Sequence, residues 1–154
     1  MIATLFIAGI ILGTSVALWI RHRNRTRKQL EQHSITAEDL HKLLDTRKDV
    51  LLFDVRLPLD VLTDAEIIPG AQRISPKEVV ENPLLIPRDK DTVVYCTCPG
   101  GESSKEVLHR ALKMGYLRVR LLKGGLAAWK EQGYAVQPYD NPFRLDTPAT
   151  IPQR

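Results

Sequence analysis

The sequence predicts an α/β domain with a mostly parallel sheet, preceded by one transmembrane helix. Three observations predict it. Short apolar runs at 50–55, ending in the charge of Asp54, and at 92–95 suit strands buried on both faces of a sheet. Helical periodicities alternate with these runs along the chain. Ahead of them, residues 2–20 form a nineteen-residue stretch with no charge.

That stretch (IATLFIAGIILGTSVALWI) is interrupted only by Thr4, Thr14 and Ser15. About 20 residues at 1.5 Å rise cross the hydrocarbon layer, and Trp19 at its end suits a membrane interface. A secretory signal would have a basic lead and a small-x-small cleavage site. Here only Met1 precedes the run, and it ends Leu18-Trp19-Ile20. Residues 1–20 are therefore expected to be a transmembrane helix and 21–33 a basic juxtamembrane linker. Arg21, Arg23, Arg25, Arg27 and Lys28 resist translocation and favour anionic lipid. They predict a single-pass protein of the cell membrane, with its N-terminus outside and its domain cytoplasmic. Gly9 and Gly13 form a G-x-x-x-G that admits a helix-mediated homodimer, although glycine is common in membrane helices.

Taking those five basic residues from the net charge of +4 leaves the rest of the chain at −1. The charge covers no folded face, so nucleic acid is not an expected partner.

A helix is expected over 36–46, with Ser34 and Thr36 as N-cap candidates and Leu40, Leu43 and Leu44 as its apolar face. The run 50–55 is a strand, 57–70 a loop closing at Pro69-Gly70, and 71–74 a short strand. Ser75-Pro76 opens a helix to about 81. The strand 92–95 leads directly into Cys96. Val107, Leu108, Ala111 and Leu112 mark a helix over 103–114, with Gly115 at its end. A strand at 118–122 and a final helix from Gly124-Gly125 to Gln132 complete the pattern. From Pro138 the chain holds four prolines in seventeen residues, and 138–154 reads as an irregular tail.

Ligands of open α/β folds bind beyond the carboxyl ends of strands, which is where Cys96 stands. The loop Thr97, Cys98, Pro99, Gly100, Gly101, Glu102, Ser103 then feeds a helix. Backbone N–H groups of such a loop, with the helix N-terminus, form an anion cradle and stabilise a thiolate. A buried, inert cysteine is the alternative. Cys96 and Cys98 are the only cysteines, too close in sequence to form a framework disulfide. Two thiols do not make a tetrahedral zinc site, so neither metal nor cofactor is expected.

Residues 51–56 (LLFDVR), 68–71 (IPGA), 93–96 (VVYC) and 122–134 (LKGGLAAWKEQGY) together resemble the landmarks of the rhodanese family. The resemblance implies a rhodanese-like domain over 34–137, a parallel five-stranded sheet flanked by helices, and Cys96 as the catalytic residue. It implies transfer of sulfane sulfur from a small donor, thiosulfate or a persulfide, to a thiol or cyanide-like acceptor through a cysteine persulfide. Asp54 and Arg56 match the family's Asp-Val-Arg as supporting residues. The chain departs from the family where the loop normally carries arginine five after the cysteine. Gly101 holds that position, and aligning the serines puts Glu102 there in a loop one residue longer. Counted from Cys98, the loop has the usual length, with Ser103 in the arginine position. Glu66-Ile67 replaces the glycine and histidine often found before IPGA. Lys105 and Lys123 are read as surface lysines. A non-catalytic module docking a partner at the membrane and a Cys-x-Cys thiol redox domain remain as alternatives.

Overall fold

The computed structural model describes residues 2–47, 49–97 and 102–139; side chains of 2–12, Val80, Pro83 and Glu102 are outside the description. The chain divides into two units, Met1–His33 and Ser34–Arg154. The first is one helix, α1 (Ile2–Gln32), so the basic segment expected as a linker is helical. Arg27 pairs with Glu31 one turn on at 3.2 Å, and the Arg23 guanidinium lies 5.3 Å from the centre of the Trp19 ring. Among the described residues no helix is long and apolar enough to cross a membrane. The expected transmembrane span therefore finds no support there.

The second unit is an α/β layer structure. Its strands are β1 (Ser34–Ile35), β2 (Leu51–Asp54), β3 (Glu66–Ile67), β4 (Gln72–Arg73), β5 (Thr92–Tyr95), β6 (Val119–Leu122) and β7 (Gln137–Pro138). Its helices are α2 (Ala37–Thr46), α3 (Pro58–Thr63), α4 (Pro76–Glu81), α5 (Glu102–Lys113) and α6 (Gly125–Glu131), with a 3-10 turn at Pro83–Leu85. Five strands form a parallel sheet in the order β1-β6-β5-β2-β4, as the family resemblance implied. β3 and β7 make a separate antiparallel pair.

Of the two N-cap candidates Thr36 starts α2, accepting the Asp39 N–H at 3.1 Å, whereas Ser34 lies in β1; at α4 Glu78 accepts the Ser75 N–H at 2.9 Å. Leu40 of α2, Leu52 of β2, Val93 and Tyr95 of β5, Leu122 of β6, and Leu126 and Trp129 of α6 form one core cluster with Ile35 and Ile68. Burial of each large side chain contributes about 1.5–3 kcal/mol before entropy is counted.

Three expectations are corrected. Residues 57–70 are not all loop: Pro58 takes the first turn of α3, and Glu66–Ile67 forms β3. The tail does not begin irregular at 138, because Gln137–Pro138 pairs with β3. The strand expected over 71–74 is only Gln72–Arg73.

At the amino edge of the sheet, Asp91 joins Arg47 at 2.6 Å and Arg118 at 3.2 Å. The Arg118 hydrogen bond, aided by the charges of Arg118 and Arg47, overcomes burial and holds the Asp91 carboxyl below the usual carboxylate range. A lowered folded-state pKa contributes stability above the unfolded value near 3.9, and that stability is lost as pH falls through the folded value. Asp91→Asn is therefore expected to lose up to about 1 kcal/mol at pH 7, with the deficit shrinking below pH 3. Urea unfolding at the two pH values checks this; an equal deficit at both would remove the charge from the explanation.

Candidate active site

β5 is the middle strand of five, and all four of its residues are buried. Tyr95, its last residue, is in register with Asp54 of β2, so Cys96 emerges at the carboxyl edge of the sheet. Its Sγ lies 3.2 Å from the Oγ of Ser104, in the first turn of the twelve-residue α5. Both residues are almost fully covered, Cys96 at 2% exposure and Ser104 at 1%. A thiolate there faces a hydroxyl donor and the positive end of a helix dipole, both of which favour the charged form.

The backbone of Cys96 is held from the other side. Its carbonyl accepts the Leu126 N–H at 3.1 Å, at the start of α6. Gly125 has φ +56°, and a Cβ there would stand 1.8 Å from the Cys96 carbonyl oxygen. Gly124 has φ +71°, and its Cβ would meet that of Ala128 at 2.6 Å. The pair of glycines thus permits a backbone-to-backbone approach that no side chain allows. It ties α6 to the strand carrying the cysteine.

Asp54 and Arg56 are wholly buried together. Arg56 Nε donates to both Asp54 oxygens at 2.9 and 2.8 Å, and Nη2 to Oδ2 at 2.6 Å. Nη1 donates to the Asp64 carbonyl at 2.7 Å, and Nη2 to the Glu66 carbonyl at 2.8 Å. Burial opposes the guanidinium charge, but the hydrogen bonds and charge of Asp54 outweigh it and raise the Arg56 pKa. Lys130 of α6 holds the same segment through its carboxylates, Asp64 at 2.7 Å and Glu66 at 2.6 Å. Burial also pushes the Tyr95 phenol well above its ordinary range, with the Asp54 charge adding to it, so its hydroxyl stays neutral and accepts the Ile68 N–H at 3.2 Å. These groups shape the walls beside β5.

Thr97 is half-buried, while Lys105 and Lys123 are exposed. Cys98, Pro99, Gly100 and Gly101 lie outside the described residues, as does the Glu102 side chain, although Glu102 opens α5. Ser103 is buried, but Ser104 makes the described contact with the sulfur. The loop predicted from the sequence ends at Ser103, one residue short of this contact. The available signal was the rotation of about 100° per helical residue, which sends two adjacent serines in different directions. Among the described residues no group of three metal-ligating side chains is brought together.

Residues 36–132 match the family model described as the rhodanese-like domain. A sulfurtransferase from Allochromatium vinosum is 32% identical over 104 residues, covering 68% of this chain and 94% of that protein. The probable adenylyltransferase/sulfurtransferase MoeZ of Mycobacterium tuberculosis is 35% identical over 102 residues. That match takes in 64% of this chain but only 25% of the larger protein. Among solved structures, a rhodanese-related protein from Thermoplasma volcanium superposes with a TM-score of 0.56 at 30% identity, covering 68% of this chain and 97% of the other.

Proposed function

The chain belongs to the rhodanese-like family, and on that premise we propose that it is a sulfurtransferase or persulfide carrier acting through Cys96. The observation that carries the reading is the Cys96 sulfur, 3.2 Å from the Ser104 hydroxyl at the head of α5 and beyond the central strand. The thiolate attacks the outer sulfur of a donor, the donor's S–S bond breaks, and sulfite or a thiolate leaves. A Cys96 persulfide remains. An acceptor thiolate or cyanide then takes the outer sulfur and returns the Cys96 thiolate.

The sequence of the loop narrows the donor. Glu102 opens α5 where the family usually has arginine. Two like charges near 4 Å repel by about 4 kcal/mol at an effective dielectric of 20, and solvent reduces that. A doubly negative thiosulfate is deterred more than a singly charged persulfide. Native thiosulfate:cyanide activity is expected to be weak, and Glu102→Arg to raise kcat/KM for thiosulfate by about tenfold, the equivalent of 1.4 kcal/mol. The swap should matter less with a low-molecular-weight persulfide. High native activity that Glu102→Arg leaves unchanged would mean the side chain turns away from the donor.

Intact-mass spectrometry of the full chain after thiosulfate or polysulfide tests the function itself. Gain of one sulfur atom, removed by cyanide, supports it. No gain favours a non-catalytic docking module, the reading supported by the missing arginine. Stable loss of two hydrogens favours a Cys96–Cys98 redox pair.

We also propose that residues 2–20 anchor the chain in the cell membrane with the domain on the cytoplasmic side. Support comes from the uncharged run, its basic flank and the unbroken helical course of α1. Val16, Leu18, Trp19 and Ile20 are exposed on that helix. If the full chain, expressed in cells, remains in the soluble fraction after high-speed centrifugation, the anchor is refuted.

A further inference from the structure

Outside the basic flank of α1 the chain is close to neutral, yet its charges are unevenly placed. At the amino edge of the sheet two exposed leucines stand among cations. Leu84, in the 3-10 turn ahead of β5, is 74% exposed, and Leu117, in the turn ahead of β6, is 71% exposed. The two segments are fastened to each other. The Arg88 guanidinium lies 4.7 Å from the centre of the Tyr116 ring, and Arg118 Nη1 donates to the Asp89 carbonyl at 2.6 Å. Arg88, Lys90, Arg110 and Lys113 are all exposed, the last two in the final turn of α5. Arg47 and Arg118 take up Asp91. Among the described residues of 84–91 and 110–118, Asp89 is then the one carboxylate left to face those four cations.

Exposed apolar side chains ringed by basic ones fit the boundary of an anionic bilayer. The leucines enter the acyl region while the cations stay with the negative headgroups. The course of the chain brings such a surface to this edge. β1, β5 and β6 run parallel, so all three start from the amino edge. Only His33 separates Ser34 of β1 from Gln32, the end of α1. Residues 21–32 span about 18 Å as a helix, so the edge they lead into is held near any bilayer that residues 2–20 enter. A second copy is the weaker partner, because a two-fold contact would set the same cations against each other.

We propose that the amino edge of the domain docks on an anionic bilayer through Leu84, Leu117 and the cations Arg88, Lys90, Arg110 and Lys113. The proposal rests on the membrane reading given above. Cys96 leaves the opposite, carboxyl edge of the sheet, so a docked domain presents it to the aqueous side, where soluble donors arrive.

The test uses the full chain with Cys96→Ser, Cys98→Ser and Leu117→Cys, the last carrying a nitrobenzoxadiazole label. It is reconstituted with vesicles of phosphatidylcholine alone or mixed with phosphatidylserine. Emission is expected to shift to the blue in the mixed vesicles and to return in about 1 M salt, where the Debye length is near 3 Å. The same label on Leu59→Cys, beyond the carboxyl end of β2, should stay in water. Adding Arg110→Gln and Lys113→Gln should lower the docked-to-undocked ratio about 30-fold. Both side chains are exposed, so the core is untouched, which circular dichroism checks. Flotation of the same samples reports the anchor separately. Flotation with both vesicle types while the label at 117 stays in water would leave the anchor and overturn the docking. Flotation with the mixed vesicles alone, with the blue shift, would remove the anchor and keep the docking. Flotation with neither, an equal shift in neutral vesicles, a shift unchanged by the two glutamines, or one that needs another protein would each overturn the proposal.

Discussion

Cys96→Ser is expected to lower sulfane-sulfur transfer by at least about 10³-fold, as loss of a covalent nucleophile does elsewhere. A serine hydroxyl is almost wholly protonated at neutral pH and forms no persulfide. The substitution removes little volume from a site that is 2% exposed, and a serine oxygen can still meet the Ser104 hydroxyl. The unfolding midpoint should therefore move little while activity and the one-sulfur mass gain disappear. Cys98→Ser should keep most of both. The opposite pattern would transfer the nucleophile to Cys98, from which the loop has the length usual in sulfurtransferases.

The second large effect falls on stability. Arg56→Ala leaves the Asp54 carboxylate fully buried without its cation and frees the Asp64 and Glu66 carbonyls that the guanidinium holds. Breaking a buried pair on one side typically costs about 3–5 kcal/mol. In a domain of about 100 residues that lowers Tm by at least about 12 °C. Removing both charges with Asp54→Leu and Arg56→Leu should recover part of the loss, because no lone charge then remains in the interior. Urea unfolding of the two variants beside the native chain decides it. If the double variant is as unstable as the single, the damage comes from the released 64–66 segment and not from the stranded carboxylate.

The strongest elements were legible because local pattern and tertiary role coincide in them. β2, β5 and β6 are largely buried, so their residues are mostly apolar, with Asp54 closing β2, Thr92 opening β5 and the half-buried Arg120 interrupting β6. α5 and α6 carry their buried residues at helical spacing. The elements that the sequence pattern does not reveal are those whose reason lies elsewhere in the chain. β1 is two residues long, exists only by pairing with β6, and has no period to read. β3 and β7 depend on each other across 70 residues of sequence. α3 buries only Val61 and faces its leucines outward, so its apolar pattern points away from a helix packed on the core. In the site, the position of Cys96 followed from the end of a buried strand. The bonds of Arg56 to backbone carbonyls, and the choice of Ser104 over Ser103, depend on where other segments pass, which residue type does not reveal.

Sheet order has a consequence for the protein while it is being made. β6 lies between β1 and β5, and its Leu121 pairs with both Ser34 and Val94. At about 5–20 residues per second, Cys96 emerges from the ribosome roughly 1–5 s before Leu121 does. During that interval the nascent chain lacks both β6 and the α6 turn that later grips the Cys96 carbonyl. The thiol that the mature fold encloses is then open to any electrophile nearby. A brief pulse of a thiol-alkylating reagent during translation should label Cys96 faster in newly made chains than in completed ones, where the reagent must enter by the route a sulfur donor takes.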